Sequence, residues 1–150
     1  MICLNKKMAV LLAEEKSFDT NDIKQLCVGI VSKTRHINDC ILYDFSNPEK
    51  INWDYVLKTY GDLIGFETSQ SEIIIPDEIF CRNGISILLT ELEKLFHKRF
   101  QNKRVCFILS HNGLGLLRFH TYTSMDKMWL SHDLEGYKEA VLYYISESSA

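Results

Sequence analysis

The chain has two Pro and seven Gly in 150 residues, no C-x-x-C pair, and no apolar run near the ~20 residues of a membrane span. So little Pro and Gly excludes a collagen-like or disordered low-complexity chain. The Cys residues, at positions 3, 27, 40, 81 and 106, are an odd, widely spaced set without zinc-ligand spacing. Four of them lie inside apolar runs, where a reduced thiol behaves as a small hydrophobe. Five free thiols in a reducing compartment are therefore expected, with Cys27 and Cys106 buried. Neither sign of charge dominates, since 20 acidic and 17 basic residues leave a net charge of −3. That balance gives no support to a general nucleic-acid binder. Lys6-Lys7 precede an apolar run at residues 8–13, but Glu14-Glu15 end it too early for the ~7–15-residue core of a secretory signal. The expected compartment is the cytoplasm, with no membrane partner.

Compact chemical motifs are missing as well. There is no G-x-S-x-G, no H-E-x-x-H and no P-loop. Gly113-Leu114-Gly115 follows a turn and leads into a strand, whereas a dinucleotide fingerprint must open a helix. Asp19-Thr20-Asn21-Asp22 starts like a calcium loop but lacks the following Gly and the distal Glu, and is better read as a helix cap. No cofactor and no metal are expected.

What is present describes an ordered single domain over residues 1–150. Hydrophobic residues make up 46% and charged residues 25%, and a chain of this length buries roughly two-thirds of the surface it exposes when unfolded. Residues 8–13 read as a short buried strand. Asp19 is a candidate N-cap, with Phe18 and Ile23 forming a hydrophobic staple, for a helix to about Thr34. Residues 40–45 are strand-like. Asn47-Pro48 signals a helix start, carrying Ile51, Tyr55, Val56 and Tyr60 inward and stopping at Gly61. A short strand at residues 72–75 ends at Pro76. The clearest helix follows, with Ile85, Leu88, Leu89, Leu92, Leu95 and Phe96 on one stripe. A loop over residues 125–136 leads to a last strand at 140–145.

The most readable stretch is the hairpin at residues 104–122. Asn112-Gly113 between two apolar runs signals a two-residue type I′ turn. That turn would set His111 opposite Leu114, Leu109 opposite Leu116, Phe107 opposite Arg118 and Val105 opposite His120. Cys106, Ile108, Leu117 and Phe119 would then share the core face. The hairpin strands are apolar on both faces, so a sheet covered on both sides is expected. The pattern is that of an α+β or mixed α/β domain, with a central sheet of about six strands and about three packed helices.

Three clusters carry candidate chemistry. Arg118 and His120 project from one strand face, and with a further imidazole such as His111 they would suit a nucleic-acid-processing enzyme. In the expected register, however, the two imidazoles lie several residues apart, and a core Arg and His is the plainer reading. His97-Lys98-Arg99 and Lys103-Arg104 gather where the strong helix ends. A nucleic-acid contact is one reading. Cations facing the negative end of the helix dipole, with no interleaved aromatics for stacking on bases, is the favoured one. The loop at residues 125–137 combines Trp129 and Tyr137 with Asp126, Asp133 and Glu135, and Glu139 follows. Aromatic anchors supply interface affinity and carboxylates steer a basic partner, so Asp126, Trp129, Asp133, Glu135 and Tyr137 are the candidate partner-binding residues. The alternative is that Trp129 and Leu130 tuck under the loop as a satellite of the core.

The segment LRFHTYTSMDKMWLSHDLEGYKEAVLYYIS, about a fifth of the chain, resembles small bacterial immunity proteins of polymorphic-toxin or contact-dependent growth inhibition systems. Its pieces are an Arg-Phe-His strand, a Trp-Leu followed by an acidic turn, and a terminal strand. The resemblance implies a cytosolic protein that binds and neutralises a cognate toxin domain, commonly a nuclease, without chemistry of its own. Such a partner would be a basic protein domain, and no nucleic acid would be bound.

Overall fold

Five antiparallel strands form one sheet, in a computed structural model that describes residues 1–44 and 48–147. The strands are β1 (Ile2–Leu4), β4 (Ile73–Ile75), β5 (Arg104–His111), β6 (Gly115–Tyr122) and β7 (Ala140–Ile145), in the order β1-β7-β5-β6-β4. A separate hairpin pairs β2 (Thr34–Ile37) with β3 (Cys40–Tyr43). The helices are α1 (Lys6–Leu12), α2 (Thr20–Ser32), α3 (Trp53–Tyr60), α4 (Leu63–Gln70) and α5 (Arg82–Arg99). The class is α+β as expected, but among the described residues there are five helices, and seven strands divided between two sheets.

The long hairpin forms, with its register moved by one residue. Leu109 pairs with Leu117, Phe107 with Phe119, Ile108 with Arg118 and Cys106 with His120. The connection is three residues, 112–114, and of these only Gly113 has positive φ, at 74°. Core packing explains the shift. The Phe96 ring of α5 lies 5.1 Å from both Phe107 and Phe119, which requires those two on one face. The expected register would have put them on opposite faces. Each buried Phe contributes ~1.5–3 kcal/mol, while lengthening the loop by one residue costs on the order of 0.4 kcal/mol in closure entropy. The two-residue turn with both φ values positive occurs instead at Asn38-Asp39 (47° and 65°), between β2 and β3.

Residues 8–13 are helical rather than extended. Asn5 caps α1, its Oδ1 accepting from the Met8 N–H at 3.0 Å. Met8 and Leu12 are buried while Val10 is 72% exposed, which is the spacing of a helix face. A six-residue apolar run fits either geometry, and the cap decides. The helix expected from Pro48 is a 3-10 turn at Pro48–Lys50, and α3 starts later, where Asn52 Oδ1 accepts from the Tyr55 N–H. It ends at Gly61 as expected, with φ 79°. Val56 is buried, but Tyr55 and Tyr60 are exposed. Asn47, the expected cap, and Phe45 lie outside the described residues.

The sheet is covered on both sides by different means. Helices α1, α2 and α5 pack on the face of Phe107, Leu109, Leu117, Phe119 and Leu142. The opposite face, with Cys106, Ile108, Val141, Tyr143 and Ile145, is covered by the loop between β6 and β7 through Leu130 and Leu134. The β2–β3 hairpin packs on α3 and α4 through Cys40, Leu42, Val56 and Phe66. All five Cys are unpaired, with Cys27 and Cys106 fully buried.

Candidate functional site

The loop between β6 and β7 builds a cleft of about 310 Å³ against the sheet. Arg118 of β6 is its polar centre. The guanidinium sits 5.6 Å from the Trp129 ring centroid, its Nη1 donates to Ser110 Oγ at 3.3 Å, and its Nη2 lies 3.3 Å from Glu72 Oε1. The strand thereby fixes a cation, and the cation fixes the indole. Trp129 is held from below as well, its backbone N–H donating to His120 Nε2 at 3.4 Å, while 44% of the residue stays exposed. Tyr137 and Glu139 line the same cleft.

The five candidate residues divide between presentation and support. Trp129 and Tyr137 meet at the cleft, and the Tyr137 hydroxyl accepts from the Ser131 N–H at 2.9 Å, closing the loop on itself. Asp133 caps the short turn at Leu134–Gly136 by accepting from the Glu135 N–H at 3.1 Å. Both Glu135 carboxylate oxygens accept from the Lys6 N–H, at 3.1 and 3.2 Å, at the start of α1. Asp126, on the turn at Met125–Lys127, is exposed and does not line the cleft.

His120 has no exposed surface. Since Nε2 accepts from Trp129, Nδ1 carries the proton and donates to the Thr121 carbonyl at 2.8 Å. Burial holds its pKa below the ordinary imidazole value, against the pull of that bond. A neutral imidazole with both nitrogens engaged has no proton position left for substrate. His111 lies five residues along the ladder from His120's partner Cys106, ~16 Å at strand rise, and is bonded to Asp77 at 2.9 Å. The structure does not bring the two imidazoles together.

Sequence reasoning missed two buried polar hubs. Asn5 Oδ1 also accepts from the Val141 N–H, and its Nδ2 donates to the carbonyls of Leu134 and Glu139 at 3.1 and 2.9 Å. One amide thus joins the start of α1, the cleft loop and β7. Glu67 of α4, 1% exposed, accepts from the Thr121 N–H and hydroxyl and from the Ile41 N–H. Burial raises its pKa above the carboxylate range, and the bonds it accepts only partly offset this. The cap of Asn5 on Met8 is a local signal that sequence reasoning passed over, whereas its other partners, and all those of Glu67, are distant in the chain. The thiols of Cys27, Cys40 and Cys106 are pushed up to about 12, with burial the largest cause, so at neutral pH they are neutral thiols rather than nucleophiles. Among the described residues, no group of three or more His, Cys, Asp or Glu is placed to hold a metal ion, and no helix is long and apolar enough to cross a membrane.

Across residues 3–150 the chain matches the Uncharacterized protein PM0498 family. No curated protein and no solved structure matches it.

Proposed function

The chain belongs to the Uncharacterized protein PM0498 family, and we propose that it is a non-enzymatic cytoplasmic binding protein, an immunity protein that neutralises a cognate basic toxin domain. The observation that carries this reading is the half-exposed Trp129, fixed on Arg118 in a loop closed by its own caps. A large aromatic ordered before contact loses little conformational freedom on binding, and such anchors dominate interface energies. Tyr137 extends the apolar contact, and Asp126 contributes steering charge at the rim. Asp133 and Glu135 act by holding the loop in shape. A nucleic-acid-processing enzyme built on Arg118 and His120 finds no support in this geometry, since His120 is buried with both ring nitrogens bonded.

The test is titration calorimetry with a candidate basic nuclease toxin domain, alongside inhibition of that domain's cleavage. Trp129→Ala should weaken the complex by about 2 kcal/mol or more, roughly 30-fold. Asp126→Lys should slow association at low salt and leave the melting temperature unchanged. Cleavage of nucleic acid by the purified protein itself would overturn the reading. A toxin complex indifferent to Trp129→Ala would move the interface off this loop.

A further inference from the structure

We propose that the cleft where α2 and α5 end binds a phosphate-bearing anion. This cleft, of about 450 Å³, is lined by Arg35 and His36 of β2, Arg99 at the end of α5, and Asn102 and Lys103 in the turn that follows. Two stretches far apart in sequence meet there, residues 33–36 and 97–104. Together they are 12 residues with six Lys or Arg, two His and no acid. The remaining 138 residues carry 11 Lys or Arg against 20 Asp or Glu, so the cations are concentrated in a molecule that is otherwise acidic. Arg99 joins the stretches by donating from Nη1 to the Val31 carbonyl at 2.8 Å.

Helix termini explain part of this cluster and leave the rest over. Two C-termini converge, each worth roughly half a negative charge. Two acids face Lys103. Asp39 is 3.9 Å away and 82% exposed, a pair that water screens strongly, and the buried Glu67 feels the charge of Lys103 from the interior. Three cations line the cleft itself, Arg35, Arg99 and Lys103, and the helix ends and acids together offset about two of their positive charges. Arg99 is oriented before any ligand arrives, by its bond to α2 and by the Phe100 ring 5.7 Å away. A planar guanidinium fixed in this way suits the oxygens of a phosphate group. Phe100 is buried, so the exposed imidazole of His36 is the ring in the lining that a base could meet. Recognition therefore rests chiefly on the phosphate, with the guanidinium and ammonium groups as its donors.

The test is calorimetry at low salt with inorganic pyrophosphate and, separately, a 12-nucleotide single-stranded RNA of mixed sequence. Pyrophosphate should bind saturably, and Arg35→Ala and Lys103→Ala should each weaken it about tenfold. Lys127→Ala, on the opposite face of the sheet, should change nothing. All three substitutions are at the surface and should leave the melting temperature in place. RNA binding tighter than pyrophosphate, with a steeper salt dependence, would identify nucleic-acid backbone as the source of the phosphate. RNA no tighter than pyrophosphate would identify a free phosphorylated molecule. Either result supports the site. Absence of binding by both probes, or equal weakening by Lys127→Ala, would overturn it.

Discussion

Glu67 does with one carboxylate what usually takes a strand, joining the β2–β3 hairpin to β6 through Ile41 and Thr121. Its folded pKa lies above its unfolded value, so its favourable contribution is complete below the ordinary carboxylate range and is lost as pH rises through the folded value. Glu67→Gln keeps the shape but supplies only one accepting oxygen, so a backbone N–H loses its partner in either amide orientation. Stability should fall by about 1–3 kcal/mol, and the part of the pH slope above pH 4.5 that belongs to this group should vanish. Urea denaturation of both proteins between pH 4 and 8 measures each effect. Asp19 and Gly61 were readable from sequence because a cap answers to neighbours within a turn of helix. Glu67 was not, because its partners lie 26 and 54 residues away.

At the scale of elements, β7 was legible as an unbroken apolar run, and periodicity identified α2 and α5, whose apolar residues repeat over enough positions to reveal the buried face. It misread α1, where six apolar residues are too few to separate a strand from a helix. It missed α4, whose buried side chains Phe66, Glu67 and Thr68 follow no apolar stripe. The register of the long hairpin shows a different limit, because the turn signal is local while the aromatic packing on Phe96 is not. The seating of α5 depends on a close approach of comparable reach. A Cβ on Gly84 would stand 2.3 Å from the Ile79 carbonyl oxygen, a backbone atom in the turn at Asp77–Ile79 that leads into the helix. Gly84→Ala must push that turn and the helix apart, at a cost of ~1–3 kcal/mol or more, despite the higher helix propensity of Ala. Thermal unfolding should show the loss, and a melting temperature at or above that of the wild type would contradict the contact.

Over the whole molecule, the class was legible and the strand order was not. Pairing β1 with β7 joins the two ends of the chain, and no local pattern encodes a contact between Ile2 and Tyr144. The cleft loop follows from that pairing, since Asn5 lies one residue beyond β1 and gathers the loop onto β7. The far side of the sheet is finished differently. β4 pairs only with residues 115–117 of β6, and farther along the same edge the main chain is met by side chains of α4 and its cap. Ser71 Oγ accepts from the Phe119 N–H at 2.8 Å and donates to the Phe119 carbonyl, while Glu67 accepts from the Thr121 N–H. The solvent-exchange clock of these two amides is therefore set by a helix, not by a neighbouring strand. In deuterated water Phe119 and Thr121 should exchange together with the amides of α4, and faster than those of β5 in the centre of the sheet. A substitution that frays α4 should deprotect both while leaving β5 slow, so that an event in the helix is recorded in the strand beside it.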